Sequence, residues 1–220
     1  MCKTSEARQT LNEARKVAEY ARSQGASIQS ANRRPSLHHV GAVFADSVLQ
    51  AGVKYETVVK PRVEKIISEY PEALDLHGLQ AVLAKTTAAE FLTWHHPVKV
   101  GRFERLVDFF STRSLCSAQE IVVYLLDGKS RSQLLEIDGV GPKTFDYLCT
   151  RLGLDRIAVD RHVITFASEA GVVTNGYDHI QRVASYAADL LGVMRRDFDA
   201  WMWNHVSSRT TKSSQLLLDI

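Results

Sequence analysis

The sequence predicts an all-α protein, and three observations support this class. Apolar residues recur at spacings of three and four through most of the chain, as they do along one face of a helix. Runs in which apolar and polar residues alternate, the pattern of a half-buried strand, are nearly absent. With 220 residues and a 45% hydrophobic composition, the chain can bury the core of one large domain or of two packed lobes.

The first predicted helix spans about Ser5 to Arg22 and carries its apolar stripe from Leu11 to Ala21. The polar stretch from Gln24 to Pro35 is predicted to be a linker. The later segments with a helical apolar stripe are Val40 to Leu49, Thr57 to Tyr70, Leu79 to Trp94, Lys99 to Phe110, Ala118 to Leu126, Arg131 to Glu136, Pro142 to Leu152, His162 to Glu169, Asp178 to Leu191 and Asp197 to Val206.

Local sequence signals predict where some of these helices begin or bend. Pro61 is expected to kink its helix or to mark the first turn, because proline lacks the N–H that an interior position needs. Ser117 and Glu120 have the spacing of a capping box, which predicts a helix start at Ser117. The tail from Ser207 to Ile220 is predicted to be disordered or to be a docking strip.

Charge and cysteine content exclude several classes of protein. Lys and Arg number 27 against 25 Asp and Glu, a net charge of +2, which excludes a polycation but not a nucleic-acid-binding protein with clustered charges. Three scattered cysteines build neither a disulfide framework nor a metal knuckle. Zinc is not expected, since the adjacent pairs His38–His39 and His95–His96 diverge on a helix. No apolar run could span a bilayer, so a soluble intracellular protein without a membrane partner is expected.

The segment from Ile137 to Thr144, with the sequence IDGVGPKT, carries the first functional signal. Gly139 and Gly141 allow positive φ, Val140 can point inward, and Pro142 suits the first position of a helix. The pattern predicts a helix, a tight hairpin and a second helix whose first N–H groups face outward, where they could bind a phosphate of a nucleic acid. A plain turn between two helices is the alternative.

A second motif lies downstream, where the apolar run from Ile157 ends in the carboxylate of Asp160 at a predicted helix start. Together the two motifs resemble those of the helix-hairpin-helix DNA glycosylases, the superfamily of endonuclease III, the adenine mismatch glycosylase and the oxoguanine glycosylases. In that family a hairpin of the form LxGVGxKT is followed by VDxHV, as IDGVGPKT and VDRHV stand here. Asp160 follows Lys143 by 17 residues, which is close to the usual spacing of the family.

The resemblance implies a two-lobed fold with the active site in the cleft between the lobes. Residues 36–153 would form a helical barrel lobe that ends in the hairpin, and residues 1–35 with 154–220 would form the second lobe. The resemblance also implies that Gln50 fills the gap left by an extruded base. The walls of the base pocket are expected from residues on several helices, namely Tyr55, Trp94 and Phe145.

The chemistry of base removal explains why a lysine and an aspartate would be needed. Breaking the bond between base and deoxyribose builds positive charge on the sugar, which the carboxylate of Asp160 would stabilise. Lys143, at the positive end of a helix dipole, could act as a neutral amine and attack the sugar, forming a Schiff base whose elimination cuts the strand. Asp160 is also expected to cap its helix, and His162 to orient it.

The remaining expectations concern DNA and cofactors. Gly139, Val140, Gly141 and Thr144 would bind the DNA backbone. Further contacts would come from a basic face made of Arg102, Arg105, Lys129, Arg131, Arg151, Arg156, Arg161, Arg195 and Arg196. No cofactor is expected, since the four-cysteine run that holds the iron–sulfur cluster of endonuclease III is absent, although the hairpin carbonyls could hold a monovalent cation.

The resemblance predicts a monomer that acts on double-stranded DNA containing a damaged or mismatched base, in the cytoplasm (nucleoid) or in a nucleus. Two alternatives stay open at this point. One is a monofunctional glycosylase for alkylated bases, which would release a base without cutting the strand. The other is a non-catalytic helix-hairpin-helix module that only binds DNA.

Overall fold

A computed structural model describes residues 2–26 and 36–216 of the chain. Every regular element within these ranges is a helix and none is a strand, which confirms the predicted all-α class. No helix in the described ranges combines the length and the apolar character that crossing a membrane requires. Most of the predicted linker, residues 27–35, and the last four residues, 217–220, lie outside the described ranges.

From the second helix onward, the described helices follow one another with short connections. A π-helical turn, Tyr55–Val59, leads into the third helix, and a 3₁₀ turn, Pro71–Leu74, leads into the fourth. In chain order the α-helices are α1 (Cys2–Ser23), α2 (Val40–Leu49), α3 (Lys60–Glu69), α4 (Leu76–Leu83), α5 (Ala88–Leu92), α6 (Pro97–Ser111), α7 (Ala118–Leu126), α8 (Ser130–Leu135), α9 (Pro142–Arg151), α10 (Arg161–Glu169), α11 (Tyr177–Leu191) and α12 (Arg195–Leu216).

The described residues divide into two compact units, each with its own apolar core. Unit 1 comprises Met1–Arg34 and Asp155–Ile220, as far as these are described, and unit 2 comprises Pro35–Leu154. In unit 1, α1 packs against α11, and α10 packs against α12. In unit 2 the largest fully buried side chains are phenylalanines from α2, α5, α6 and α9, namely Phe44, Phe91, Phe103, Phe110 and Phe145.

Local signals in the sequence placed several helix ends correctly. The bounds of α2 and α7 are those predicted, and the capping box of α7 is present, because the Ser117 hydroxyl accepts from the Glu120 N–H at 3.2 Å. Pro61 lies in the first turn of α3, as one of its two predicted roles required. Directly before α3 the chain forms the π-helical turn that begins at Tyr55.

The single helix predicted from Leu79 to Trp94 is wrong. The structure has two helices there, since α4 ends at Leu83 and α5 begins at Ala88. The second helix starts with its own capping box, in which the Thr87 hydroxyl accepts from the Glu90 N–H at 3.1 Å. This cap satisfies N–H groups that a continuous helix would have bonded to the preceding turn, and so it fixes a new start.

The disorder proposed for the tail is wrong up to residue 216, because α12 continues to Leu216. One contact that supports this extension is the ion pair of Arg209 with Glu169 of α10, at 2.8 Å. The same Glu169 oxygen accepts from the Tyr20 hydroxyl of α1 at 2.8 Å. The polar part of α12 is therefore joined to the rest of unit 1 by side-chain contacts that an apolar pattern does not reveal.

Candidate active site

The segment from α8 to α9 is a helix, a tight turn and a second helix, as the glycine pattern predicted. The Val140 N–H donates to the Ile137 carbonyl at 2.9 Å, and the Val140 side chain is buried. Gly139 has a φ of +82°, which an L-residue adopts only with strain. Gly141 was also expected to use positive φ, but it is extended at −92° and serves as the N-cap of α9.

Two arginines of α6 contact this hairpin. Arg105 donates from Nη2 to the carbonyl of Asp138 at 3.3 Å and pairs with its carboxylate at 3.4 Å. The guanidinium of Arg102 lies against Gly139, so a Cβ at that position would overlap it. The positive φ is what favours glycine at position 139, and a larger residue there would also displace the guanidinium of Arg102.

Lys143 lies in the first turn of α9, directly after the hairpin. Its Nζ donates to Oε1 of Gln50 at 2.9 Å. Gln50 is the C-cap of α2, and its backbone N–H donates to the Asp46 carbonyl at 3.2 Å. The structure thus brings together two residues that the sequence singled out for separate reasons, one as the nucleophile and the other as the side chain that fills the base gap.

A buried ion pair also joins α2 and α9, one turn before Gln50 on α2 and two turns after Lys143 on α9. The carboxylate of Asp46 is fully buried, pairs with Arg151 Nε at 2.7 Å and accepts from the Tyr147 hydroxyl at 2.9 Å. Lys143 contacts Gln50, and Tyr147 contacts Asp46. A step of four residues forward along α9 therefore corresponds to a step of four residues backward along α2. The two helices are therefore antiparallel, and their register determines where the amine of Lys143 lies.

Lys99 of α6 completes this region, although it is not among the site residues predicted from the sequence. Its Nζ donates to the carbonyls of Leu49 at 2.6 Å and Ala51 at 2.7 Å, on either side of Gln50. The ammonium also lies 4.8 Å from the centre of the Trp94 ring. Burial, together with the charge of Arg102, lowers the pKa of Lys99. The contact joins residues about fifty positions apart, which explains why no local pattern reveals it.

The other predicted pocket and DNA-binding residues are placed as follows. Trp94 is half-buried, with the Arg62 guanidinium 5.3 Å from its ring centre, and Tyr55 is half-buried at the start of the π-helical turn. Phe145 has no exposed surface and belongs to the core of unit 2. The side chain of Thr144 is also buried, so any contact of Thr144 with DNA would come from its backbone.

Asp160 belongs to unit 1, where it caps α10 as predicted. Its Oδ1 accepts from the N–H groups of His162 at 2.8 Å and Val163 at 3.2 Å, and its Oδ2 lies 3.1 Å from Nδ1 of His162. The His162 ring meets the Trp203 ring edge to face, with centroids 5.5 Å apart. These contacts fix the orientation of the carboxylate within its own unit.

The segment before Asp160 is held by side chains from α11 and α12. The N–H of Ala158 donates to the carboxylate of Asp199 at 3.3 Å, and the N–H of Val159 donates to the Tyr177 hydroxyl at 3.2 Å. Both contacts satisfy backbone groups in a stretch that belongs to no helix and whose residues are buried.

The basic face expected around the hairpin is smaller than the sequence suggests. Arg151 is wrong as a member of this face, because it is buried and paired with Asp46. Arg195 pairs with Asp189 at 2.9 Å, and this hydrogen bond raises the pKa of its guanidinium. Lys129 and Arg161 are exposed, as the prediction requires. Sequence position alone could not separate arginines that bind acidic partners from those that face solvent.

The described residues contain no group of three or more His, Cys, Asp or Glu side chains placed to hold a metal ion. Comparisons of the chain with protein-family models, with curated proteins and with solved structures found no match. The arrangement of the hairpin, Lys143 and Asp160 is therefore the basis for any statement about function.

Proposed function

We propose that the protein is a base-excision-repair DNA glycosylase that flips out and removes a damaged or mismatched base, with an associated lyase activity at the abasic site. The observation that carries this proposal is the position of the Lys143 amine, held by Gln50 at the start of α9, directly after the tight hairpin. The proposal includes the two-lobed helix-hairpin-helix fold and a monomer that acts on DNA in the nucleoid or nucleus.

DNA binding is supported by the start of α9. No side chain caps this helix at Gly141, and the first N–H groups of any helix lack partners within it. Such a helix end attracts an anion, and a phosphate of the DNA backbone is the anion that the proposal requires. Gly139, Val140, Gly141 and Thr144 would contribute backbone groups to this contact, and the affinity would fall steeply with salt.

The lyase chemistry assigns the nucleophile to Lys143. Its neutral amine forms a bond to C1′ of the sugar while the glycosidic bond breaks, and the bonding electron pair leaves with the base, which takes up a proton. Loss of a proton from the amine and opening of the sugar ring give a Schiff base. Removal of a proton from C2′ then expels the 3′ phosphate and cuts the strand.

Asp160 would stabilise the positive charge that develops on the sugar as the base leaves. Its carboxylate is held by two backbone N–H groups and by His162, so its orientation is fixed before substrate arrives. The proposal requires Lys143 and Asp160 to act on the same flipped nucleotide, in the cleft between the proposed lobes. The pocket walls would come from Gln50, Tyr55 and Trp94.

Borohydride trapping on a duplex with one abasic site tests the nucleophile. We expect wild type to form a covalent adduct, Lys143→Gln to form none, and Asp160→Asn to retain its fold while forming the adduct more slowly. Lys99→Gln is the necessary comparison, since Lys99 is the other lysine at Gln50. The assignment to Lys143 fails if wild type forms no adduct, or if Lys143→Gln still forms one.

The base that is removed can be identified with a panel of duplexes, each with one lesion or mismatch. We expect base release from at least one duplex, followed by strand cleavage that disappears in Lys143→Gln. Base release without cleavage would favour the monofunctional glycosylase for alkylated bases. Tight binding with no release from any duplex would favour the non-catalytic DNA-binding module.

A further inference from the structure

We propose that Gln50 is a positioning residue for the amine of Lys143, and that Lys99 holds Gln50 in the place where it does this. The inference rests on the proposed function, because it assigns to both residues a role in Schiff-base formation. It departs from the role that the resemblance implies for Gln50, which is to fill the gap left by the flipped base.

The first step is the contact between the two side chains. Only Oε1 of a glutamine amide can accept from a lysine amine, and it does so here at 2.9 Å. The other amide atom, Nε2, is buried and has no hydrogen-bond partner among the described residues. The bond to Lys143 is thus the described polar contact that fixes the orientation of the amide, and it restrains the amine in turn.

The second step is the pair of bonds from Lys99. Its ammonium donates to the carbonyls of Leu49 and Ala51, which flank Gln50 in the chain. Carbonyls at the end of a helix lack partners within it, and a cation is stabilised there by the helix dipole. Lys99 therefore fixes the backbone on both sides of Gln50, and the side chain of Gln50 starts from a restrained position.

The third step is the support of Lys99 itself. Its ammonium lies 4.8 Å from the centre of the Trp94 ring, and Arg62, 5.3 Å from the same centre, donates to the Thr93 carbonyl at 3.1 Å. The ring and the two carbonyls together replace the water that an exposed ammonium would have. Lys99 therefore has contacts on several sides and links α6 to the end of α2.

The ion pair of Asp46 with Arg151 makes it possible to distinguish an effect of Lys99 on the position of Gln50 from an effect on folding. The pair of Asp46 with Arg151 joins α2 to α9 independently of Lys99. Loss of the Lys99 bonds should therefore loosen the end of α2 while the helix pair stays together. The charged groups of unit 2 described around this region include Lys99 and Arg102 of α6, Arg62 at the Trp94 ring, the pair of Arg105 with Asp138 at the hairpin, and the pair of Asp46 with Arg151.

The test measures the rate of borohydride trapping on an abasic duplex across a range of pH, in the full chain. Gln50→Leu keeps the volume but removes the acceptor, and Lys99→Met keeps much of the aliphatic stem but removes the charge. We expect both to slow trapping by roughly ten- to a hundredfold, the scale on which a displaced reacting group loses rate. Lys99→Arg should recover part of the loss, and Lys85→Met, at an exposed lysine, should trap like wild type.

Gln50→Glu gives a readout that a purely structural role would not change. A carboxylate beside the amine stabilises the ammonium form, so the pH of half-maximal trapping should rise by about one unit. The inference is overturned if Gln50→Leu, Gln50→Glu and Lys99→Met trap with the wild-type rate and pH profile while Lys143→Gln does not trap. The proposed function would survive that result, whereas a wild-type protein that never traps would overturn both.

Discussion

Replacing Arg151 by methionine should lower the free energy of unfolding by about 3–5 kcal/mol, the usual cost of removing one partner from a buried ion pair. Asp46 is fully buried, and the Arg151 side chain is only 6% exposed, so neither charge has water available to replace the other. The substitution leaves the carboxylate of Asp46 in an apolar helix pair, with the Tyr147 hydroxyl at 2.9 Å as a remaining donor. That bond offsets part of the loss.

Removing one member of the Asp46–Arg151 pair should lower the free energy of unfolding much more than replacing both members does. Removing both charges, in Asp46→Leu combined with Arg151→Met, should bring the stability to within about 2 kcal/mol of wild type, because desolvation of two ions nearly balances their attraction. Urea unfolding followed by circular dichroism gives each free energy, and a double-mutant cycle gives the coupling. Lys85→Met, the exposed comparison, should stay within about 0.5 kcal/mol.

A cost of less than about 1 kcal/mol for Arg151→Met would refute this account, since a buried carboxylate that loses its cationic partner is destabilised by more than that. It is also refuted if the costs of the two single substitutions simply add in the double variant. Additive costs would mean that Asp46 and Arg151 contribute independently. The register of α2 against α9 would then have to come from apolar packing and from the hydrogen bonds of Lys143 and Tyr147.

Two further predictions concern turns and caps in unit 2. Gly139→Ala should cost at least about 1–2 kcal/mol, because it places a Cβ at a φ of +82° and against a guanidinium, whereas Gly141→Ala, at −92° in open space, should cost less than about 1 kcal/mol; urea unfolding would measure both. Hydrogen bonds from the Ser117 backbone N–H and hydroxyl lower the pKa of Glu120, so stability is gained above its ordinary value of 4.5 and lost as pH falls below that value. Glu120→Gln should flatten this acid dependence of the unfolding midpoint, and an unchanged pH profile would contradict the assignment.

Local chemistry explains which parts of the fold were predictable from the sequence. The limits of α2 and α7 follow from uninterrupted apolar stripes and, for α7, from a capping box within four residues. The break between α4 and α5 was missed even though Thr87 and Glu90 have the same spacing, because an apolar stripe continues on both sides of it. The apolar stripe suggested one unbroken helix, whereas the capping box of Thr87 and Glu90 signals the start of a second helix, which the structure has.

The candidate site was predictable only where its residues are close in sequence. The hairpin and the cap formed by Asp160 are local, and both are present in the structure. The contact of Lys143 with Gln50, in contrast, spans more than ninety residues and depends on the register of two helices. One signal did point to that register. Asp46 is a lone carboxylate in a helix that is otherwise apolar or small, and such a group requires a buried partner.

If the protein is the proposed lyase, two lysines near Gln50 are candidates for the nucleophile, and their contacts distinguish them. A pKa lowered by burial would by itself favour Lys99 as the amine that reacts. Its hydrogens, however, are directed at the carbonyls of Leu49 and Ala51, and the ammonium lies near the Trp94 ring, so attack on a sugar would require breaking the end of α2. Lys143 is held by a side-chain amide rather than by helix carbonyls, and it lies at the start of α9, where the proposal places a DNA phosphate. Under the proposed function, this geometry favours Lys143 as the reacting amine and Lys99 as its support.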